Sequence, residues 1–112
     1  MPNKKKEINI TVELDENNIP EDIEWGGTDA PGDDPISCRA MFLSMWDPDQ
    51  KDTLKLDLWT RQMTVDEMKI FFHQTLLTMA DSLEKSIDDE RISGDMRDFC
   101  AYFAEKMDIR GD

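Results

Sequence analysis

Cys38-Arg-Ala-Met-Phe-Leu-Ser-Met-Trp46 runs into Asp47-Pro-Asp-Gln-Lys-Asp52, and Thr53-Leu-Lys-Leu-Asp-Leu-Trp59 follows. The first segment is apolar on both faces, which suits either a covered strand or a turn or two of helix, since Ala, Leu and Met favour helix. The third segment decides between them. Leu54, Leu56 and Leu58 alternate with Lys55, Asp57 and Trp59, the period of a strand. The polar hexamer between the two is tight-turn chemistry. A strand that leaves a tight turn takes an antiparallel partner from the segment just before it. Residues 38–59 therefore read as a β-hairpin.

Upstream, Ile8, Ile10, Val12 and Leu14 alternate with Asn9, Thr11 and Glu13, a half-buried strand. Asp15-Glu-Asn-Asn-Ile-Pro20 is a turn, and Ile23 and Trp25, alternating with Asp22 and Glu24, mark a short second strand. Residues 26–37 hold three Gly, two Pro and three Asp, and read as a mobile loop. Downstream, Thr64-Val-Asp-Glu67 is a capping box. Val65, Met68, Phe72, Leu76, Met79, Leu83 and Ile87 follow at steps of three and four, one long helical stripe widened by Phe71 and Ala80. A polar break is expected from Asp88 to Ser93. Met96, Phe99, Cys100, Phe103, Ala104 and Met107 then form the stripe of a second helix.

The expected fold is α+β: a four-stranded antiparallel meander sheet with two C-terminal helices packed on one face. The expected organisation is a disordered tip at 1–6, one domain over 7–109 and a frayed end at 110–112. A chain of 112 residues fits one domain, and eight Met, five Phe and three Trp supply a modest core.

The net charge of −13 bounds the function. It argues against nucleic acid and anionic membrane, both of which need basic patches. The alternating, charged Glu7–Leu14 segment is no secretory h-region, and no stretch reaches the roughly 18 apolar residues of a membrane span. The expectation is a soluble cytoplasmic protein without membrane insertion. Cys38 and Cys100 read as free thiols in a reducing compartment.

No constellation of catalytic or ligand-binding residues stands out along the chain. His73 is the sole histidine and has no partner readable from spacing. Neither Cys-x-x-Cys nor His-x-x-x-His occurs, so zinc is not expected. Asp47 and Asp49 begin like a calcium loop, but Lys51, Asp52 and Leu58 occupy the positions of a ligand, the glycine and the bidentate glutamate. Gly26-Gly27 lacks the Lys-Ser/Thr of a phosphate loop. No catalytic residue, metal or cofactor is expected, and the chain reads as no enzyme.

Charge layout is more informative. From Glu7 to Cys38 there are ten acidic residues, Glu7 included, and no Lys or Arg. The first hairpin is thus strongly negative, either as a solvated face or as a docking surface for a basic partner. Trp25, Trp46 and Trp59 stand at or near strand ends, either capping the core or lining an interface. The candidate interaction surface is Glu13, Glu21, Glu24, Trp25, Trp46 and Trp59.

Three strings carry a resemblance: Ala40-Met-Phe-Leu-Ser-Met-Trp-Asp47, Leu56-Asp-Leu-Trp-Thr-Arg-Gln-Met-Thr-Val-Asp-Glu-Met-Lys-Ile-Phe-Phe-His-Gln-Thr-Leu76 and Asp98-Phe-Cys-Ala-Tyr-Phe-Ala-Glu-Lys106. With them, and with Ile-x-Ile-x-Val-x-Leu-Asp-Glu-Asn in the first strand, the chain resembles the gliding motility-associated GldC family of Bacteroidetes. The loop at 26–37 is not part of the likeness. The resemblance implies an accessory component of the gliding and secretion machinery with protein partners, and it transfers no catalytic residue. The alternative is a secretion-chaperone-like adaptor, a homodimer that holds peptide on its sheet, an expectation by fold analogy.

Overall fold

Alternation in the first forty residues yields three strands. In the computed structural model, which describes residues 3–109, they are β1 (Ile8–Leu14), β2 (Pro20–Gly27) and β3 (Ile36–Cys38), in the order β1-β2-β3 and all antiparallel. The expected tip at 1–6 lies partly, and the frayed end at 110–112 wholly, outside the described residues. The β1–β2 turn is built on Asp15, whose Oδ1 accepts from the Asn17 and Ile19 amides at 2.7 and 2.9 Å. Asn18 takes the left-handed conformation there (φ 63°), which a short polar side chain tolerates. Register runs from Ile8↔Gly27 to Glu13↔Asp22 and then jumps to Leu14↔Pro20, leaving Glu21 as the extra residue of a bulge.

The hairpin forms as its turn chemistry dictates. β4 (Ala40–Asp47) and β5 (Asp52–Trp59) pair from Ala40↔Trp59 to Asp47↔Asp52. Asp47 Oδ1 accepts from the Asp49 and Gln50 amides at 2.9 and 3.3 Å, and Lys51 closes the turn at φ 51°.

Two expectations about the strands are corrected. The strands make a three-stranded and a two-stranded antiparallel sheet, and no single four-stranded meander. The segment from Ile36 to Asp47 pairs with its two neighbours in succession and not with both along one length. Ile36–Cys38 pairs with β2 as far as Ile23↔Cys38; the chain bends at Arg39; and Ala40 begins the ladder with β5. Beyond Ile23 toward its start, β2 offers Asp22, the bulged Glu21 and Pro20, which has no N–H to donate. The middle strand leaves β2 where β2 stops being a good partner. The second correction concerns the loop at 26–37. Gly26 and Gly27 end β2, and Ile36 and Ser37 open β3, so only the middle of the segment is irregular. Gly27 is required where it stands: at φ 133° an added Cβ would collide with the Glu7 carbonyl. Around it the ladder is extended by Thr28 N–H to Glu7 C=O and Glu7 N–H to Thr28 Oγ1, both 3.0 Å, and by a Lys6–Asp29 ion pair at 3.3 Å.

The strand-bearing unit ends at Met63, and the helical unit begins at Thr64. Among the described residues of the first unit, Ile23 is the fully buried apolar side chain and Thr60 the buried polar one. The second unit opens on the expected capping box: Thr64 Oγ1 accepts from the Glu67 amide at 3.1 Å, and Glu67 Oε1 accepts from the Thr64 amide at 3.2 Å. α1 spans Val65–Ile87 and α2 spans Glu90–Lys106. The polar break expected over 88–93 shrinks to two residues. Asp88 ends α1 in the left-handed conformation, and Asp89 caps α2 by accepting from the Arg91 and Ile92 amides. Two adjacent aspartates, one ending α1 and the other capping α2, make the whole connection. The helices meet at small side chains, Ala80, Ser93 and Cys100, all buried. Ser93 Oγ donates across the pair to Glu84 Oε1 (3.2 Å), and Arg97 reaches Asp81 at 2.8 Å and Glu84 at 3.3 Å. Both carboxylates push the Arg97 guanidinium further toward its charged form.

Candidate functional site

Period-two alternation and antiparallel register give the three-stranded sheet a polar face. Thr11 and Glu13 of β1 stand opposite Glu24 and Asp22 of β2, and Glu24 stands opposite Ser37 of β3. The other face carries Ile10, Val12, Ile23, Trp25, Ile36 and Cys38. Glu13, Asp22 and Glu24 therefore share one surface. The Glu24 carboxyl has its pKa raised by its hydrogen bond with Asp22, then by repulsion from the Asp22 charge, then by desolvation, with the smallest push from Glu13. A fold gains nothing from three crowded carboxylates, and a cation laid on this face would relieve them.

The expected site residues divide. Glu13 and Glu24 come together, joined by Asp22. Glu21 sits in the bulge beside them. Trp25 is half-buried on the opposite face of the same sheet. Trp46 and Trp59 belong to the hairpin, 64% and 51% exposed, and share one of its faces. Trp46 stands opposite Thr53, so Trp59 lies about 20 Å further along at roughly 3.4 Å per residue. The three tryptophans form no cluster.

The bend at Arg39 opens a polar cavity of about 240 Å³ where the two sheets part. Glu21, Asp22 and Arg39 line it with charge; Ser37, Cys38, Thr60 and Gln62 complete the wall. Thr60 is fixed by its backbone, its N–H donating to the Arg39 carbonyl at 2.8 Å, and its buried hydroxyl has no hydrogen-bond partner among the described residues. Cys38 is a free thiol whose pKa is raised, first by burial, with the Ala40 backbone hydrogen bond opposing and the Asp22 charge adding. A thiol so placed is the reverse of an activated nucleophile. Nearby, the half-exposed Arg61 forms an ion pair with the Asp15 carboxylate, whose side chain is only 7% exposed. This ties the first turn to the chain just after β5.

Arg39 and Thr60 were missed in the sequence. Arg39 had a signal, as the first cation after the uncharged-or-acidic run from Glu7. Thr60 had none, because its burial comes from the fork.

On the hairpin, cross-strand pairs Met41↔Leu58, Leu43↔Leu56 and Met45↔Leu54 line one face with aliphatic side chains. Met45, Leu54 and Leu56 are 43%, 59% and 47% exposed. The opposite face carries Phe42, Lys55 and Asp57, with Lys55 Nζ 5.8 Å from the Phe42 ring centre and 3.6 Å from Asp57 Oδ2.

In the helical unit, His73 is half-buried and stacks on Phe103, ring centres 6.2 Å apart and 12° from parallel. This is a packing contact between helices. Val65, Met68, Phe72, Phe103 and Met107, with the stem of Lys69, line an apolar hollow of about 400 Å³. Among the described residues, no group of three or more His, Cys, Asp or Glu is arranged to hold a metal, and no helix is long and apolar enough to cross a membrane.

Set against known proteins, the chain matches one family model, described as gliding motility-associated protein GldC-like, over residues 20–109. No curated protein and no solved structure gives a match.

Proposed function

The chain belongs to the GldC-like gliding motility-associated family, and from that premise we propose that it is a non-catalytic accessory protein of the gliding or secretion machinery that binds another protein component through its acidic sheet face. The observation that carries this reading is the grouping of Glu13, Asp22 and Glu24 on one surface, with Glu24 strained electrostatically by its neighbours. The partner this face suits is a basic segment of a protein, which would neutralise the crowd. Glu21, beside the face in the bulge, extends the contact. The free Cys38 and Cys100 thiols suit work in the cytoplasm.

The test is a pull-down from the native host with the wild-type chain and with Glu13→Lys/Glu24→Lys. The wild type is expected to retain an envelope or secretion component that the variant loses. Retention of none by the wild type would overturn the reading.

A second reading has its own observation. The aliphatic hairpin face, with Leu54 and Leu56 about half-exposed, is the surface a chaperone-like adaptor would offer to an extended peptide. Calorimetric titration with apolar peptides of the wild type and of Leu54→Asp/Leu56→Asp separates the two: saturable binding lost in the variant favours the adaptor, and no binding leaves the acidic face.

A further inference from the structure

We infer that β5 is a self-complementary edge through which two copies of this chain pair, antiparallel, about a two-fold axis at Leu56. Among the described residues β5 pairs with β4 alone, and seven of its eight residues are exposed. The Thr60 amide bonds the Arg39 carbonyl, continuing the register Ala40↔Trp59. Even-numbered residues of β5 thus turn their backbone groups toward β4, and Thr53, Lys55, Asp57 and Trp59 turn theirs to the open edge.

A second β5 laid antiparallel with Leu56 opposite Leu56 satisfies every one of those groups. Lys55 then faces Asp57 of the other copy, and Thr53 faces Trp59, each rung exchanging both of its N–H···O bonds. The charges are opposite on both central rungs, where cross-strand pairs are stabilising. On the other face Leu54 meets Leu58 and Leu56 meets its own copy, so the two aliphatic rows become one. Neighbouring registers are penalised. An axis at Lys55 sets lysine against lysine, and an axis at Asp57 sets aspartate against aspartate. An axis between residues sets leucines against charged side chains and points the backbone groups the wrong way. A lone edge lysine ordinarily repels a second edge. Here Asp57, two residues on and already 3.6 Å from Lys55, turns that lysine into half of a matched pair.

The test is sedimentation over a concentration series. Wild type is expected to dimerise. Lys55→Asp and Asp57→Lys should each weaken the dimer by about tenfold or more, since both central rungs become like-charged. An equimolar mixture of the two should recover it, because only the heterodimer restores opposite charges on both rungs. In a chain with Cys38→Ser and Cys100→Ala, Leu56→Cys should crosslink to its own copy on oxidation, and Leu54→Cys should not. A wild type monomeric throughout the series, single variants that dimerise like wild type, a mixture that stays monomeric, or equal crosslinking at 54 and 56 would each overturn the inference.

Discussion

The two sheets of the first unit are adjacent in sequence and alike in local grammar, yet they spend it differently. The three-stranded sheet buries a residue completely, Ile23, and carries its charge as a like-signed crowd at Glu13, Asp22 and Glu24. The hairpin buries none of its large apolar residues completely, and its central charges, Lys55 and Asp57, are balanced. One sheet is anchored within and electrostatically unsatisfied without. The other is satisfied in charge and open in apolar surface. The lesson is that strand pattern determines which face a residue joins, while the partners across the ladder determine what that face can bind.

The comparison breaks most readily at its anchor. Ile23→Ala should cost about 2–5 kcal/mol in urea denaturation, the range for emptying a packed core site. Leu54→Ala, at a 59% exposed position of the hairpin, should cost under about 1 kcal/mol. Equal losses would mean that the sheets do not differ as described. Next in size is Gly27→Ala, which forces a Cβ against the Glu7 carbonyl at positive φ; a loss of about 1–3 kcal/mol is expected, with proteolytic sensitivity rising where β1 begins and β2 ends. Arg61→Ala strands the poorly exposed Asp15 carboxylate and should cost about 1–2 kcal/mol, below the value for a fully buried pair because Arg61 itself is half-exposed.

The smallest effect sharpens the electrostatic half. The folded-state pKa of Glu24 is raised, so the native protein binds its proton more readily than the unfolded chain. The sign follows from linkage: stability falls as pH rises through the window upward from the unfolded value of 4.5, and the penalty is fully present above the folded pKa. Glu24→Gln should therefore raise the melting temperature slightly at neutral pH and lose that advantage below the window. A melting curve series against pH that shows no such convergence would contradict the crowding.

Much of this was legible in the residues. The alternation at Ile8–Leu14, the Leu54-Leu56-Leu58 row, the Asp47–Asp52 turn and the Thr64–Glu67 box all specify local structure, and each lies where its chemistry puts it. Division of the strands into two sheets was not legible. It depends on Arg39 bending the chain where Pro20 and the Glu21 bulge spoil β2 as a partner, a meeting of residues far apart in sequence. The acidity of the first hairpin could be counted, but its division by face required the register: Glu13 and Glu24 share a side, and Trp25 lies on the other. In sequence the three tryptophans look alike, each at or near a strand end; pairing puts Trp25 in one sheet and Trp46 and Trp59 in the other.

The central claim is that the acidic face is the docking surface. Zero-length carboxylate-to-amine crosslinking in cells of the native host, read by mass spectrometry, addresses it directly. Crosslinks from Glu13, Asp22 or Glu24 to lysines of one envelope or secretion component are expected. Crosslinks to such a component arising only from the helical unit, or none from these three carboxylates, would contradict it.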